Sequence, residues 1–242
     1  MAQKTVKKAP KGAKRAKRRR PAITALIWIR RLVLAVIAIL ALAVSLYTVL
    51  DPPITPYMMA ERARLGSIDH QWVPLEEVAP VMARAAVAAE DANFCVHWGF
   101  DMAAIRTAIA AGGNRGASTI SQQTVKNVYL WQGRSWFRKA MEAVITPAVE
   151  AVWSKRRILE VYLNIAEFDA GVFGIEAAAR HYFGKGPADL SATEASRLAA
   201  ILPDPKGRSA SRPSDFVRQR GRQIADGAAT IRGDGRSACF ES

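Results

Sequence analysis

No acidic residue occurs in the first fifty positions, and only two cysteines occur among all 242. Each shortage limits what the chain can be. The formal net charge is +14, but twelve Lys and Arg residues lie within positions 1–31, so only +2 remains for everything after them. The high charge therefore belongs to a tail, and a uniformly basic nucleic-acid-binding surface is not supported. Cys95 and His97 offer two ligand types but no partner pair, so a zinc site is not expected. The two cysteines, Cys95 and Cys239, could pair in an oxidising compartment, and their spacing does not decide the matter. No alternating strand run of useful length occurs and no internal repeat. No Lys-Ser/Thr pair follows the glycines near position 116, which excludes a P-loop.

What is present starts with the basic tail. Residues 1–20 are Lys, Arg, Ala and Pro with almost nothing to bury, and a segment of this kind is expected to be unstructured. Ile23–Ile29, Arg30-Arg31 and then Leu32–Leu50 follow, the last run holding nineteen uncharged residues. A helix of that length rises about 28 Å, close to the hydrocarbon thickness of a bilayer. The reading is an uncleaved transmembrane anchor over 22–50, centred on 32–50, with Arg30 and Arg31 reaching to the headgroups. A cleaved signal peptide would have a shorter apolar region and a small-x-small site, which is not evident before Asp51. The positive flank predicts a cytoplasmic N-terminus, with 51–242 on the other side. Residues 51–72, with Pro52, Pro53 and Pro56, read as a linker with little regular structure.

From Val73 helix signals dominate. Val78, Val81, Met82, Ala85 and Ala89 fall at helical spacing and lead to Glu90. Asp101, Ser118, Ser135, Ser154, Ser191 and Ser214 are placed to cap successive helices, the last reaching about Ala228, and Gly184 and Pro203 to end two of them. The outer domain, 73–242, is expected to be all-α around a single core.

Three polar clusters stand out. In Glu90–Asp101 (EDANFCVHWGFD) two acids close an apolar helix, and Phe94, His97 and Gly99 follow at short offsets. A carboxylate at such a rim can have a raised pKa, as a general base needs, although a solvated helix end has the same pattern. Gly116–Gln123 (GASTISQQ) gathers hydroxyls and amides at a helix start, where free N–H groups favour an anion and an ordinary cap looks alike. Lys126, Arg134, Arg138 and Lys139 lie among Trp131, Trp136 and Phe137 and end at Glu142. Cations mixed with aromatics suit a membrane interface or a phosphate-bearing substrate; a solvated charged face is the plain alternative. In Lys155–Asn164 the apolar face of Ile158, Leu159, Tyr162 and Leu163 reads as scaffold.

In this order EDANFCVHWGFD, GASTISQQ, RKAME, KRRILEVYLN and AAARHYFGK resemble the five motifs of glycosyltransferase family 51, the peptidoglycan glycosyltransferases that polymerise lipid II. The match covers about Leu75 to Pro205. The monofunctional members are the better fit, since no Ser-x-x-Lys or Lys-Thr-Gly of a transpeptidase occurs. The resemblance implies a lysozyme-like all-α glycosyltransferase domain, preceded by one transmembrane helix and carrying a membrane-associated smaller lobe. It implies a bacterial inner-membrane enzyme with a periplasmic catalytic domain, acting on a lipid-linked disaccharide-pentapeptide and a growing glycan. Glu90 would be the general base, and Glu142 would position cations or bind a divalent metal. Lys126, Arg134, Arg138 and Lys139 would stabilise the leaving diphosphate. Ser118, Thr119, Gln122 and Gln123 would hold sugar or phosphate, while Asp91, Phe94, His97 and Gly99 would support the site. No cofactor is required, although Mg or Mn could sit at the diphosphate. Membrane lipid and cell-wall or division proteins are the further partners, and nucleic acid is not one. Two features depart from the family: the segment Met102–Arg115 is short, and Pro147 should kink the helix that carries Glu142. A lysozyme-like lytic enzyme and a non-catalytic membrane-anchored scaffold remain as alternatives.

Overall fold

The computed structural model describes residues 21–112, 116–133 and 135–241, with side chains from position 23 onward. The basic tail and Arg134 lie outside the described residues, as does the end of the short segment after α4. The chain divides into two compact units, residues 1–43 and 44–242.

The first unit holds most of α1, Pro21–Leu46. Its Ile23–Leu46 portion, 24 residues, is long and apolar enough to cross a membrane. The helix starts earlier than the centre of the expected span and gives way to turns after Leu46 rather than running to Leu50.

The second unit is mostly helical, as expected. Its helices are α2 (Pro56–Leu65), α3 (Pro80–Glu90), α4 (Met102–Ala110), α5 (Ile120–Tyr129), α6 (Trp136–Val152), α7 (Lys155–Ile165), α8 (Ile175–Phe183), α9 (Ala192–Ile201), α10 (Asp215–Gly233) and α11 (Ala238–Glu241). Asp101, Ser135, Ser154, Ser191 and Ser214 each cap a helix by accepting a backbone N–H, as their positions predict. Gly184 ends α8 in the left-handed conformation.

Three expectations are corrected. Residues 51–72 are not an irregular linker: Thr55 caps α2, and Met58 is fully buried. Prolines at 52, 53 and 56 suggested a breaker, but Pro56 stands at the first helical turn, where its missing N–H costs nothing. The α5 cap is Thr119, not Ser118, because Thr119 forms a full capping box with Gln122. Three very short strands, β1 (Asp69–His70), β2 (Glu167–Asp169) and β3 (Val172–Phe173), add a small sheet in the order β1-β3-β2. β1 pairs parallel and β2 antiparallel to β3, and two or three residues per strand are too few to show alternation in sequence.

Two packed groups position the site. α3, α9 and α10 pack on one another, and α5 packs against α6 and α7. α7 carries much of the core: Ile158, Leu159, Val161 and Leu163 are fully buried. Asn164, at its end, is buried and ties the loop before α3 to this core. It accepts from Val73 N at 2.9 Å and donates to Val73 O at 2.8 Å. Gly174 passes so close that a Cβ would stand 2.7 Å from the Asn164 carbonyl oxygen, at a φ of 85° that glycine alone adopts readily. Arg157 reaches Tyr47 O at 3.0 Å and Asp51 at 3.0 Å, which fixes the segment entering the folded body. α6 runs on through Pro147, and Thr146 Oγ1 donates to Glu142 O at 2.7 Å.

Cys95 and Cys239 form a disulfide that joins the loop after α3 to α11, 144 residues later in sequence. A link across so long a loop restricts the unfolded chain most. The double variant Cys95→Ser/Cys239→Ser is expected to lose about 2–5 kcal/mol of stability. Thermal melting followed by circular dichroism in detergent checks it, and an unchanged midpoint would count against the constraint.

Candidate active site

Glu90 is the last residue of α3, behind a helix whose Ala83, Ala85, Ala86 and Val87 are buried. Small side chains let α9 and α10 approach this helix closely and carry its final carboxylate into a partly dry setting. Burial raises the Glu90 carboxyl above the ordinary carboxylate range. Gln123 of α5 opposes that rise, donating from Nε2 to Glu90 Oε2 at 2.9 Å. The charges of Arg220 and Lys126 also pull it down, and Asp91 pushes it up.

Lys126 stands one turn beyond Gln123 on the same face of α5. Burial lowers its pKa, while the Glu142 carboxylate raises it and Arg138 and Lys139 lower it. Lys126 makes no hydrogen bond or close ion pair among the described residues. Glu142, on α6, is 2 % exposed and is gripped on both oxygens. Arg138 Nη1 is 3.0 Å from one, and Lys139 Nζ holds the other. Glu142 is buried while Arg138 and Lys139 reach it from the half-exposed side, so this is a three-way cluster on a buried acid and not the simple surface ion pair that the i,i+4 spacing also allowed. Lys139 Nζ also donates to Ser118 Oγ at 3.1 Å.

A second layer holds these elements in register. Asp91 is buried and accepts from His97 Nε2 at 2.8 Å and from Ile120 N at 3.0 Å. Thr119 Oγ1 donates to Gly99 O at 2.7 Å. Gly99 has φ 85°, and a Cβ there would stand 2.7 Å from Thr146 Cγ2, so the loop closes on α6 only with glycine. Phe94 is fully buried, with Lys155 Nζ 4.5 Å from its ring centroid.

The structure thus brings Glu90, Gln123, Lys126, Arg138, Lys139, Glu142 and Ser118 toward one region. It puts Thr119 and Gln122 in the wall: both are buried, and their polar atoms close the capping box. Sequence reasoning missed two features. Arg220, on α10, donates to Ala89 O at 3.3 Å and acts on Glu90 electrostatically. It is one of several arginines in α10, and nothing in the sequence separates it from them. Glu150 is buried, accepts from Ser121 and pairs with Lys155 at 2.8 Å. A charge on the apolar face of α6 was the available signal.

Large apolar side chains are exposed at the start of α6, next to Arg138 and Lys139, and at other points of the chain. Trp136 is 93 % and Phe137 69 % exposed, and Trp98, Met102, Ile109, Trp131 and Val144 are exposed as well.

Residues 59–229 match the family model described as transglycosylase. The chain is 61% identical over 213 residues to the biosynthetic peptidoglycan transglycosylase of Jannaschia sp. (strain CCS1), covering 88% of this chain and 89% of that protein. The proteins of the same name from Rhodospirillum centenum and Caulobacter vibrioides are 50% and 42% identical, over 86% and 87% of this chain and 93% and 96% of theirs.

Replacing Gln123 by Ala removes a hydrogen bond to the ionised form of Glu90, so the Glu90 carboxyl is expected to titrate at a higher pH than in the wild type. A side-chain NMR titration of both proteins checks the direction, and a shift downward would contradict it.

Proposed function

Because this chain belongs to the transglycosylase family, we propose that it polymerises lipid II into β-1,4-linked glycan, with Glu90 as the general base. The acceptor is the 4-hydroxyl of a lipid-linked disaccharide-pentapeptide. It attacks the anomeric carbon of the growing chain, whose leaving group is a lipid diphosphate. As the new C–O bond forms, Glu90 takes the hydroxyl proton, and the C–O bond to the diphosphate breaks with inversion. A hydroxyl is a poor nucleophile at neutral pH, and a carboxylate with a raised pKa is a better proton acceptor than an exposed one. The leaving diphosphate gains negative charge, and fixed cations stabilise it where it develops.

The observation that carries this reading is Lys126: a partly buried cation without a close partner among the described residues, under the influence of both Glu90 and Glu142. Such a charge is available to an anionic group of the substrate. Arg138 and Lys139 are held by Glu142 on the same helix. Ser118 would meet the substrate through its link to Lys139. Thr119, Gln122, Asp91, Phe94, His97 and Gly99 serve as support, and Gln123 tunes Glu90. A lytic enzyme on a similar frame would not need this cation cluster, so hydrolysis is the weaker reading.

A divalent ion does not suit Glu142, whose two oxygens are each taken by a cation. No step of this scheme passes through a metal.

The apolar α1 is compatible with a single-pass anchor. We place the N-terminus in the cytoplasm of a bacterial cell and the folded body on the periplasmic side of the inner membrane, from the twelve positive charges before Leu32. The exposed Trp136 and Phe137 would seat the smaller lobe in the same bilayer, where both substrates stay by their lipid tails. Cell-wall synthesis or division proteins are the partners such an enzyme would meet.

In detergent with lipid II, the wild type is expected to give glycan, and Glu90→Gln to lose about 10²–10⁴-fold in kcat. Equal turnover by both would remove Glu90 from the base role. With a base whose pKa burial has raised, kcat/KM falls as pH drops through the Glu90 titration, and Gln123→Ala moves that acid limb to higher pH.

A further inference from the structure

The stretch 89–95, which contains Glu90 and Asp91, is held by the far end of the chain. α3 ends at Glu90, and residues 91–100 form no helix or strand. Ala89 O is one of the carbonyls that a helix end leaves without a partner in the helix, and Arg220 Nη2 on α10 donates to it at 3.3 Å. Arg236 Nη1 donates to Ala92 O at 3.1 Å, while its Nε is fixed on Asp234 at 2.9 Å. Phe94 meets Phe240, with ring centroids 6.4 Å apart and both side chains fully buried. Cys95 is bonded to Cys239. Each of these partners lies between 220 and 240, and each is anchored in turn. α10 packs so closely on α3 that a Cβ at Gly227 would stand 3.3 Å from Ala88 Cβ. α11 packs on α7, where Arg156 Nη1 donates to Phe240 O at 3.1 Å, and Glu241 pairs with Arg84 of α3. Arg236, Cys239 and Phe240 lie beyond the residues that match the family model.

We infer that the segment 220–240 is a strap that positions Glu90 for the reaction, with the Cys95–Cys239 disulfide as its redox-sensitive latch. The inference rests on the glycosyltransferase reading above and adds a condition to it: full turnover needs the latch closed. Cys95 and Cys239 are both partly exposed, so a small dithiol can reach the bond. The dithiol supplies two electrons and two protons. The S–S bond breaks, Cys95 and Cys239 become thiols, and the dithiol closes to its own disulfide. The loop is then tied to the strap only by the Arg236 hydrogen bond and the Phe94–Phe240 contact. Asp91 and His97 belong to that loop, and Asp91 holds the start of α5. A slip there displaces Glu90 from Gln123 and from the acceptor hydroxyl, and a misplacement of about 1 Å can cost about 10²-fold in rate.

The test uses the full-length protein in detergent, oxidised and after treatment with dithiothreitol, at a temperature where circular dichroism shows both forms folded. Reduction is expected to lower kcat about tenfold or more with the KM for lipid II unchanged, and reoxidation to restore it. Hydrogen–deuterium exchange should quicken in peptides covering 91–99 and stay as it was in α7, which general loosening of the core would not give. The double variant Cys95→Ser/Cys239→Ser should turn over at the reduced rate and ignore the dithiol. Equal kcat for the folded oxidised and reduced forms would overturn the inference, as would exchange that quickens equally in the loop and in α7. Where reduction unfolds the protein at every temperature tried, Arg236→Ala decides, since it leaves the disulfide intact. Its kcat is expected to fall about fivefold, the weight of one hydrogen bond, and an unchanged kcat would overturn the strap. The exchange comparison needs no substrate, so absence of glycan from the oxidised wild type would defeat the glycosyltransferase reading separately.

Discussion

The Asp91 carboxylate is the contact on which the site depends. It receives the backbone N–H of Ile120, the first residue of α5, and the imidazole of His97, from the loop that follows α3. One buried anion therefore fixes the start of one helix to the end of another. The N–H groups at a helix start lack partners within the helix, and a carboxylate there also meets the favourable end of the dipole. A hydrogen bond to a charged group is worth about 1.5–3 kcal/mol, and removing the acceptor would leave buried donors unmet. Glu90 and Gln123 face each other because Asp91, next in sequence to Glu90, holds α5 by its first turn.

The cationic half of the site is built differently. Glu142 lies in the core face of α6, and Arg138 and Lys139, one turn earlier, fold back onto its two oxygens. A buried carboxylate would be costly alone, and with two cations the cluster is satisfied and carries excess positive charge. Lys126 adds a third cation across the gap from α5. Arg138 and Lys139 push the Lys126 pKa down, as like charges do, and Glu142 pulls it up. Trp136 and Phe137, at the start of α6 and next in sequence to these cations, are exposed. A substrate with a lipid tail and a diphosphate has the same two parts.

Much of this was legible in the chain. The helices of the outer domain announced themselves by apolar spacing and caps, because those signals are local. α2 did not, since three prolines in five positions read as a breaker when one of them was starting a helix. The cap of α5 was off by one residue for a similar reason: Ser118 and Thr119 are both good caps, and only the reciprocal bond from Gln122 selects between them. The short strands escaped notice because β1 finds its partner some hundred residues away, in a pairing that no local pattern records. Among site residues, Glu90, Lys126, Arg138, Lys139 and Glu142 were evident as acids and cations in unusual company. Arg220 was not, because an arginine in an arginine-rich helix acquires meaning only from what the helix packs against.

Residue type, order and spacing by themselves determined the apolar anchor, the helical character of the outer domain, and the acids and cations of the candidate chemistry. These follow from composition over short windows, where periodicity and capping act. The tertiary structure decided which of those groups meet. It turned Gln123 toward Glu90, closed Thr119 and Gln122 into a wall and buried Glu142 beneath its cations. It also paired Cys95 with Cys239 across most of the folded domain. Such contacts depend on how α3, α5, α6 and α10 pack, and packing is a property of the whole core rather than of any segment of it.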